Sequence, residues 1–152
     1  MGLRGSTDSS LMCILQTRSK EQVLLELIEL ICRTGRVHSA EDLTQSIFYR
    51  EKLMSTGIGL GIAVPHVRIE EISHPITAIG ISHDGIPDYE SIDDELVRIV
   101  IMIVAGKNQH KEYIRLLAEI VTRLKDDGVI ERLCAARNPD EIHEILIGSS
   151  DA

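Results

Sequence analysis

The chain has 152 residues, 43% of them hydrophobic, and a formal net charge of −8, a length suited to one domain with a proper core. Lysines and arginines nowhere cluster with aromatics, and the aromatic set is three tyrosines and one phenylalanine without tryptophan, which argues against nucleic-acid partners. Cys13, Cys32 and Cys134 lie far apart with no C-x-x-C pair, which predicts reduced thiols in a cytoplasmic protein and no zinc site, and no apolar run is long enough for membrane insertion.

Residues 1–10 carry Gly, Ser and Asp without the apolar core of a signal peptide, so a flexible tail is expected there, followed by a single domain over 11–152. Ser19 or Thr17 can start a helix over 20–33, where Leu24, Leu27, Ile28 and Ile31 form a core-facing stripe and Gly35 suits the C-terminal cap. A second helix follows Ser39 as N-cap, with Glu41 and Asp42 in the first turn, where the helix dipole favours negative charge. Leu43, Ile47 and Met54 mark its inner face. Arg50 falls on the same face, seven residues after Leu43 and three after Ile47. An arginine on an apolar stripe snorkels, pairs with a carboxylate, or awaits an anion, and the first two fates are commoner. Glu51 points about 100° away from it along the helix.

Gly57, Gly59 and Gly61 alternate ahead of the run Ile62 to Val64 and the pair Pro65-His66. A dinucleotide fingerprint would need Gly or Ala at Ile62 and a helix beginning there, and no Gly-Lys-Ser/Thr triplet makes a phosphate loop. Pro65 fixes its own φ and biases Val64 toward extended backbone, so the segment predicts a short strand that presents His66 at a stiffly held point. The plainer reading is a glycine-rich turn beside an incidental surface histidine.

The β-branched alternation over 75–81 predicts a strand, with His74 and His83 flanking it at solvated loop positions. Asp84-Gly-Ile-Pro-Asp88 reads as a turn, and the acidic stretch 88–95 lacks calcium-loop spacing and reads as a solvated face. Residues 96–105 are nearly all Val, Ile and Met, the pattern of a central strand covered on both faces in a layered α/β domain. A helix over 109–125 is expected to bury Ile114, Leu117, Val121 and Leu124. His110, one turn earlier on that face, is aimed inward at a helix start, where free N–H groups favour a bound anion. Capping of a backbone carbonyl is the plainer fate of such a histidine. Two short helices complete the chain, over 128–136 and from Asn138 with Pro139 at the first position, the latter burying Ile142, Ile145 and Leu146 and leaving His143 exposed.

Taken together, Arg50, His66 and His110 suggest one site. Imidazole is a good nucleophile at neutral pH and can carry a phosphoryl group, whose oxygens need positive or donating neighbours in transit. The residues Arg50-Glu51, Ser55-Thr-Gly-Ile-Gly59 and Gly61-Ile-Ala-Val-Pro-His66, with His110 downstream, resemble the IIA domain of the bacterial phosphoenolpyruvate:sugar phosphotransferase system, of the fructose/mannitol/nitrogen-regulatory type. The resemblance covers about 13–147.

It implies an α/β fold with a mixed β-sheet flanked by helices on both sides, a three-layer sandwich. It also implies that His66 accepts a phosphoryl group from phospho-HPr on Nε2, with Arg50 and His110 holding and stabilising that group. In transporting members the group passes to a IIB domain and then to sugar; no cofactor is implied. The alternative is a nitrogen-type protein acting on a regulatory target through phosphorylation-dependent binding, or a catalytically silent relative kept for protein contacts. Leu60 stands where asparagine is common in the family and Val67 where glycine or alanine is usual. Both are expected to flank the acceptor and to bear on partner choice and transfer rate, while Arg68 keeps a basic residue near the motif.

Overall fold

A computed structural model describes residues 2–70 and 72–148. The helices are α1 (Gly2–Ser6), α2 (Lys20–Arg33), α3 (Ala40–Leu53), α4 (His110–Leu124), α5 (Val129–Cys134) and α6 (Pro139–Leu146). The strands are β1 (Met12–Ile14), β2 (Gly57–Gly59), β3 (Ile62–Ala63), β4 (His66–Ile69), β5 (Ile76–Ile86) and β6 (Val97–Gly106). They form one mixed six-stranded sheet in the order β1-β5-β6-β3-β2, with β4 also paired to β6. β5 runs antiparallel to β6, whereas β3 and β4 run parallel to it.

β6 is the centre because its side chains feed two cores. Ile99, Ile101, Ile103 and Ala105 pack with α4, α5 and α6. Val100, Met102 and Val104 pack on the other face with α2 and α3. A strand with no polar alternation is the expected product of burial on both faces. The arrangement is the predicted sheet with helices on both sides.

Local signals place α2 and α3 where the sequence predicts them. Ser19 Oγ accepts from Gln22 N and Ser39 Oγ from Asp42 N, each satisfying an N–H that the helix start would leave orphaned. α2 buries Val23, Leu24, Leu27, Ile28 and Ile31, each contributing about 1.5–3 kcal/mol, far more than its intrinsic helix propensity supplies. α6 likewise takes Asn138 as its N-cap, and Ile142 and Leu146 are buried as expected.

Several expectations are corrected. Residues 2–6 make a helical turn in place of a loose tail: Leu3 is buried, its N–H donates to Glu119 Oε1 at 2.9 Å, and Ser6 Oγ lies 2.9 Å from Thr77 Oγ1. Met54 lies beyond the end of α3 in extended backbone and is exposed, so it is not part of the inner face. β5 continues past 81 to Ile86, so His83 sits in a strand and its Nε2 donates to Ala136 O at 2.7 Å. The acidic stretch is not simply solvated either. Asp88 Oδ1 accepts from Lys20 N at the start of α2, and Asp93 accepts from the N–H groups of Leu60 and Glu95.

The largest difference is the rotation of α4. Its buried face is Tyr113, Leu116, Ile120 and Leu124, while Ile114 is 47% exposed. The expected stripe and the observed one share Leu124 and are otherwise offset by one residue, a turn of about 100°. Sequence periodicity cannot choose between two overlapping apolar stripes. Gln109 shows what holds the observed rotation: it is buried, accepts from Gly106 N through Oε1, and donates through Nε2 to Ile72 O and Ser73 O.

Candidate phosphoryl-transfer site

The segment ahead of His66 is a hairpin followed by an interrupted strand. β2 and β3 pair antiparallel across Leu60-Gly61, whose φ angles are 59° and 78°. Positive φ at both central residues is the pattern of the tight hairpin turns that match strand twist. Gly57 has a steric reason to be glycine, since a Cβ there would lie 2.2 Å from Glu90 O. β3 and β4 then lie on the same side of β6 with one unbroken register, Ile62 beside Ile99 and His66 beside Ile103. Between them Pro65 O still accepts from Ile103 N at 3.0 Å, and Val64 turns its backbone groups away from β6.

That interruption sets the chemistry of His66. Val64 N donates to Thr56 O at 3.0 Å, and Val64 O lies 2.8 Å from His66 Nδ1. A carbonyl only accepts, so Nδ1 carries the proton and Nε2 keeps its lone pair. Burial pushes the imidazole below its ordinary pKa. The Val64 bond opposes that shift and the Arg50 charge adds to it. The ring is therefore neutral at pH 7, a nucleophile rather than a cation.

His66, Val67 and Arg68 from β4 line a cleft of about 580 Å³ with Ser46, Tyr49, Arg50 and Leu53 from α3 and with Lys107, His110 and Tyr113 at and before α4. The tertiary structure thus brings Arg50, His66 and His110 to one cavity. Arg50, Arg68 and Lys107 put three cations on its walls and no carboxylate among the described residues lines it, in a chain whose net charge is −8. Such a cavity suits an anion.

Arg50 Nη1 donates to Met54 O at 3.2 Å, and no carboxylate pairs with it among the described residues. Its remaining donors are open to a ligand. His110 is the first residue of α4 and is exposed, not turned inward to the core as expected, because the helix is rotated. It reaches the cleft from the rim.

Residues that sequence reasoning passed over complete the surroundings. Glu51 is 7% exposed and ties α3 to the hairpin: Oε1 accepts from Lys20 Nζ at 3.1 Å, and Oε2 accepts from Thr56 Oγ1. The Thr56 hydroxyl also meets Tyr89 OH at 2.9 Å, and Lys20 Nζ lies 4.6 Å from the centre of the Tyr89 ring. Burial, with the Glu51 charge adding, pushes the Tyr89 phenol up, so it stays protonated. The adjacent Arg50-Glu51 pair was the available signal for this network. Tyr113 is the other omission, and its ring stacks on His66 with centroids 5.0 Å apart and planes inclined by 26°.

Leu60, expected beside the acceptor, is elsewhere. It is exposed at the hairpin tip and lines a separate cavity with Leu96, Arg98 and Cys134. Val67 does line the His66 cleft. The left-handed φ of Leu60 explains why asparagine would suit that position, since Asn tolerates this region better than a branched apolar side chain.

Residues 8–148 match the family described as phosphoenolpyruvate-dependent sugar phosphotransferase system, EIIA 2. The chain belongs to that family. The IIA chain is 31% identical over 132 residues to the fructose-specific EIIABC component of the phosphotransferase system of Bacillus subtilis, covering 87% of the chain and 21% of that protein. It is 30% identical over 129 residues to a nitrogen regulatory protein of Pseudomonas aeruginosa, covering 85% of the chain and 83% of that protein. The chain thus spans about a fifth of the first relative and most of the second. Among solved structures, the Escherichia coli complex of enzyme IIA mannitol with phosphorylated enzyme IIB mannitol matches with a TM-score of 0.77 and 28% identity, over 93% of this chain and 97% of that one. The family carries out phosphoryl transfer and includes both sugar-transport and nitrogen-regulatory members. No helix among the described residues is long and apolar enough to cross a membrane.

Proposed function

We propose that this IIA domain is a cytoplasmic phosphohistidine carrier that takes a phosphoryl group from phospho-HPr on Nε2 of His66 and passes it to a IIB domain for sugar uptake. The observation that carries this reading is the bond from His66 Nδ1 to Val64 O, which leaves the Nε2 lone pair available in a cation-lined cleft.

In the step, the Nε2 lone pair attacks phosphorus while the bond from phosphorus to the donor imidazole breaks and its electron pair returns to the donor. His66 loses no proton. Its ring gains positive charge, held at the Nδ1–H by the Val64 carbonyl, and the phosphoryl group carries two negative charges. Arg50 binds its oxygens with the guanidinium donors not used on Met54, and His110 stabilises it from the start of α4. A cationic ring is a good leaving group, so onward attack by a IIB nucleophile breaks the P–Nε2 bond and returns the pair to His66.

The test is labelling with phosphoenolpyruvate, enzyme I and HPr. The parent should gain an acid-labile, base-stable label that His66→Ala does not take. Equal labelling of His66→Ala overturns the assignment. The similarity to a nitrogen regulatory protein supports a second reading, in which phosphorylation of the same histidine controls binding to a regulatory target. Mixing labelled protein with IIB domains separates the two: loss of label supports the relay, retention supports regulation.

A further inference from the structure

The rotation of α4 turns Tyr113 inward and leaves Ile114 47% exposed. Packing alone favours the opposite, since Ile114 has no polar atom to satisfy and Tyr113 has a hydroxyl. That hydroxyl makes no hydrogen bond among the described residues, so the ring was not drawn inward by a polar partner. Its partner is the imidazole of His66, which it meets face to face at 5.0 Å between centroids.

We propose that Tyr113 is a positioning residue for the phosphoryl-accepting histidine: its ring covers one face of the His66 imidazole and holds it in the orientation in which Nδ1 donates to Val64 O. The inference rests on the phosphohistidine reading above. One hydrogen bond fixes the direction of a single N–H. The terminal torsion of a histidine is broad, so the ring can still tilt or flip about that bond. A flat partner against one face opposes the tilt that would carry Nδ1 out of line with Val64 O, the bond that keeps the proton on Nδ1 and the lone pair on Nε2. An aliphatic residue would fill the space without defining a plane.

Arg50 from α3, Arg68 from β4, Lys107 and Tyr113 share the cleft with the imidazole and His110 stands on its rim, while Glu51 acts on the ring only through its charge. Burial lowers the imidazole pKa, consistent with a covered face.

The experiment compares Tyr113→Phe and Tyr113→Leu with the parent in two measurements. Nitrogen-15 chemical shifts of the His66 ring report the tautomer without any phosphorylation. Single-turnover labelling by phospho-HPr, over a range of donor concentration, reports transfer. The parent and Tyr113→Phe should show the Nδ1–H tautomer and label at rates within about twofold of each other. Tyr113→Leu should show a mixture of tautomers and a maximal rate about tenfold lower, with the half-saturating donor concentration little changed, as expected when a reacting atom is misplaced but binding is kept. A parent-like tautomer in Tyr113→Leu overturns the proposal, and so does a Tyr113→Phe protein as impaired as Tyr113→Leu. Should Tyr113→Leu fail to fold, Tyr113→Met takes its place. A parent that takes no label removes the phosphohistidine reading alone, while the tautomer measurement still decides whether Tyr113 holds the ring.

Discussion

Glu51 and Thr56 join the end of α3 to the strand segment that carries the acceptor histidine. The carboxylate takes the Thr56 hydroxyl, Thr56 O takes Val64 N, and Val64 O takes the His66 Nδ1 proton. A buried carboxylate thus lies three links from the reacting ring. Lys20 supplies its countercharge, which makes the burial affordable.

Replacing Glu51 by alanine should therefore destabilise the protein by about 1.5–3 kcal/mol, the range for hydrogen bonds to a charged group. Lys20 keeps Glu90 as a partner, which limits the loss. Denaturant unfolding measures it. A cost below about 0.5 kcal/mol, the scatter of ordinary surface substitutions, would mean that the network holds nothing together.

Leu60→Asn should stabilise the chain by about 0.5–1 kcal/mol, because Leu60 adopts a φ of 59° and is 64% exposed, so the change relieves strain without opening the core. For a chain of this size that corresponds to a rise in Tm of roughly 1–4 °C. Labelling of His66 should be unaffected, since Leu60 does not line its cleft. A changed labelling rate with unchanged Tm would contradict the structural placement of this residue.

Arg50→Ala removes one hydrogen bond to Met54 O, so its stability cost should be about 0.5–1.5 kcal/mol. Labelling should fall by about 10²-fold or more, as for loss of a preorganised donor to transition-state charge. Arg50→Lys should recover part of the rate through charge but not the planar donor geometry. Unfolding of Arg50→Ala with intact labelling at low temperature would instead make Arg50 a structural residue.

The pH dependence follows from the direction of the His66 shift. Burial lowers the imidazole pKa below its reference of about 6.5, so the folded ring stays neutral at pH values where the unfolded one is protonated. In the window just below that reference the unfolded state binds more protons, so the His66 contribution to stability is full above it and lost as pH falls through the lower folded value. The labelling rate should hold level from pH 8 to about 6.5 and decline only below it. A midpoint above 7 in a titration of His66 followed by NMR would reverse the sign of this argument.

Helix starts and strand types were legible in the chain because they rest on neighbours a few residues apart. Ser19, Ser39 and Asn138 cap helices through their own side chains, and the unbroken apolar run of β6 follows from burial on two faces. Pro65-His66 and the glycines before it likewise marked a rigid presentation, and the family pattern pointed to Arg50 and His110. The rotation of α4 was not legible, since two apolar stripes one residue apart satisfy the same period. Neither was the fate of Glu51, whose partners Lys20 and Thr56 belong to separate elements.

The sequence by itself determined where α2, α3 and α6 begin, which face of α2 is apolar, and which residue types the chemistry uses. Only the tertiary structure decided that positions 50, 66 and 110 share one cleft and that Tyr113 meets His66. Local order is encoded by contacts within a turn or two. Convergence of distant side chains depends on the register of β3 and β4 along β6 and on how the helices are rotated against the sheet, which the whole core settles together.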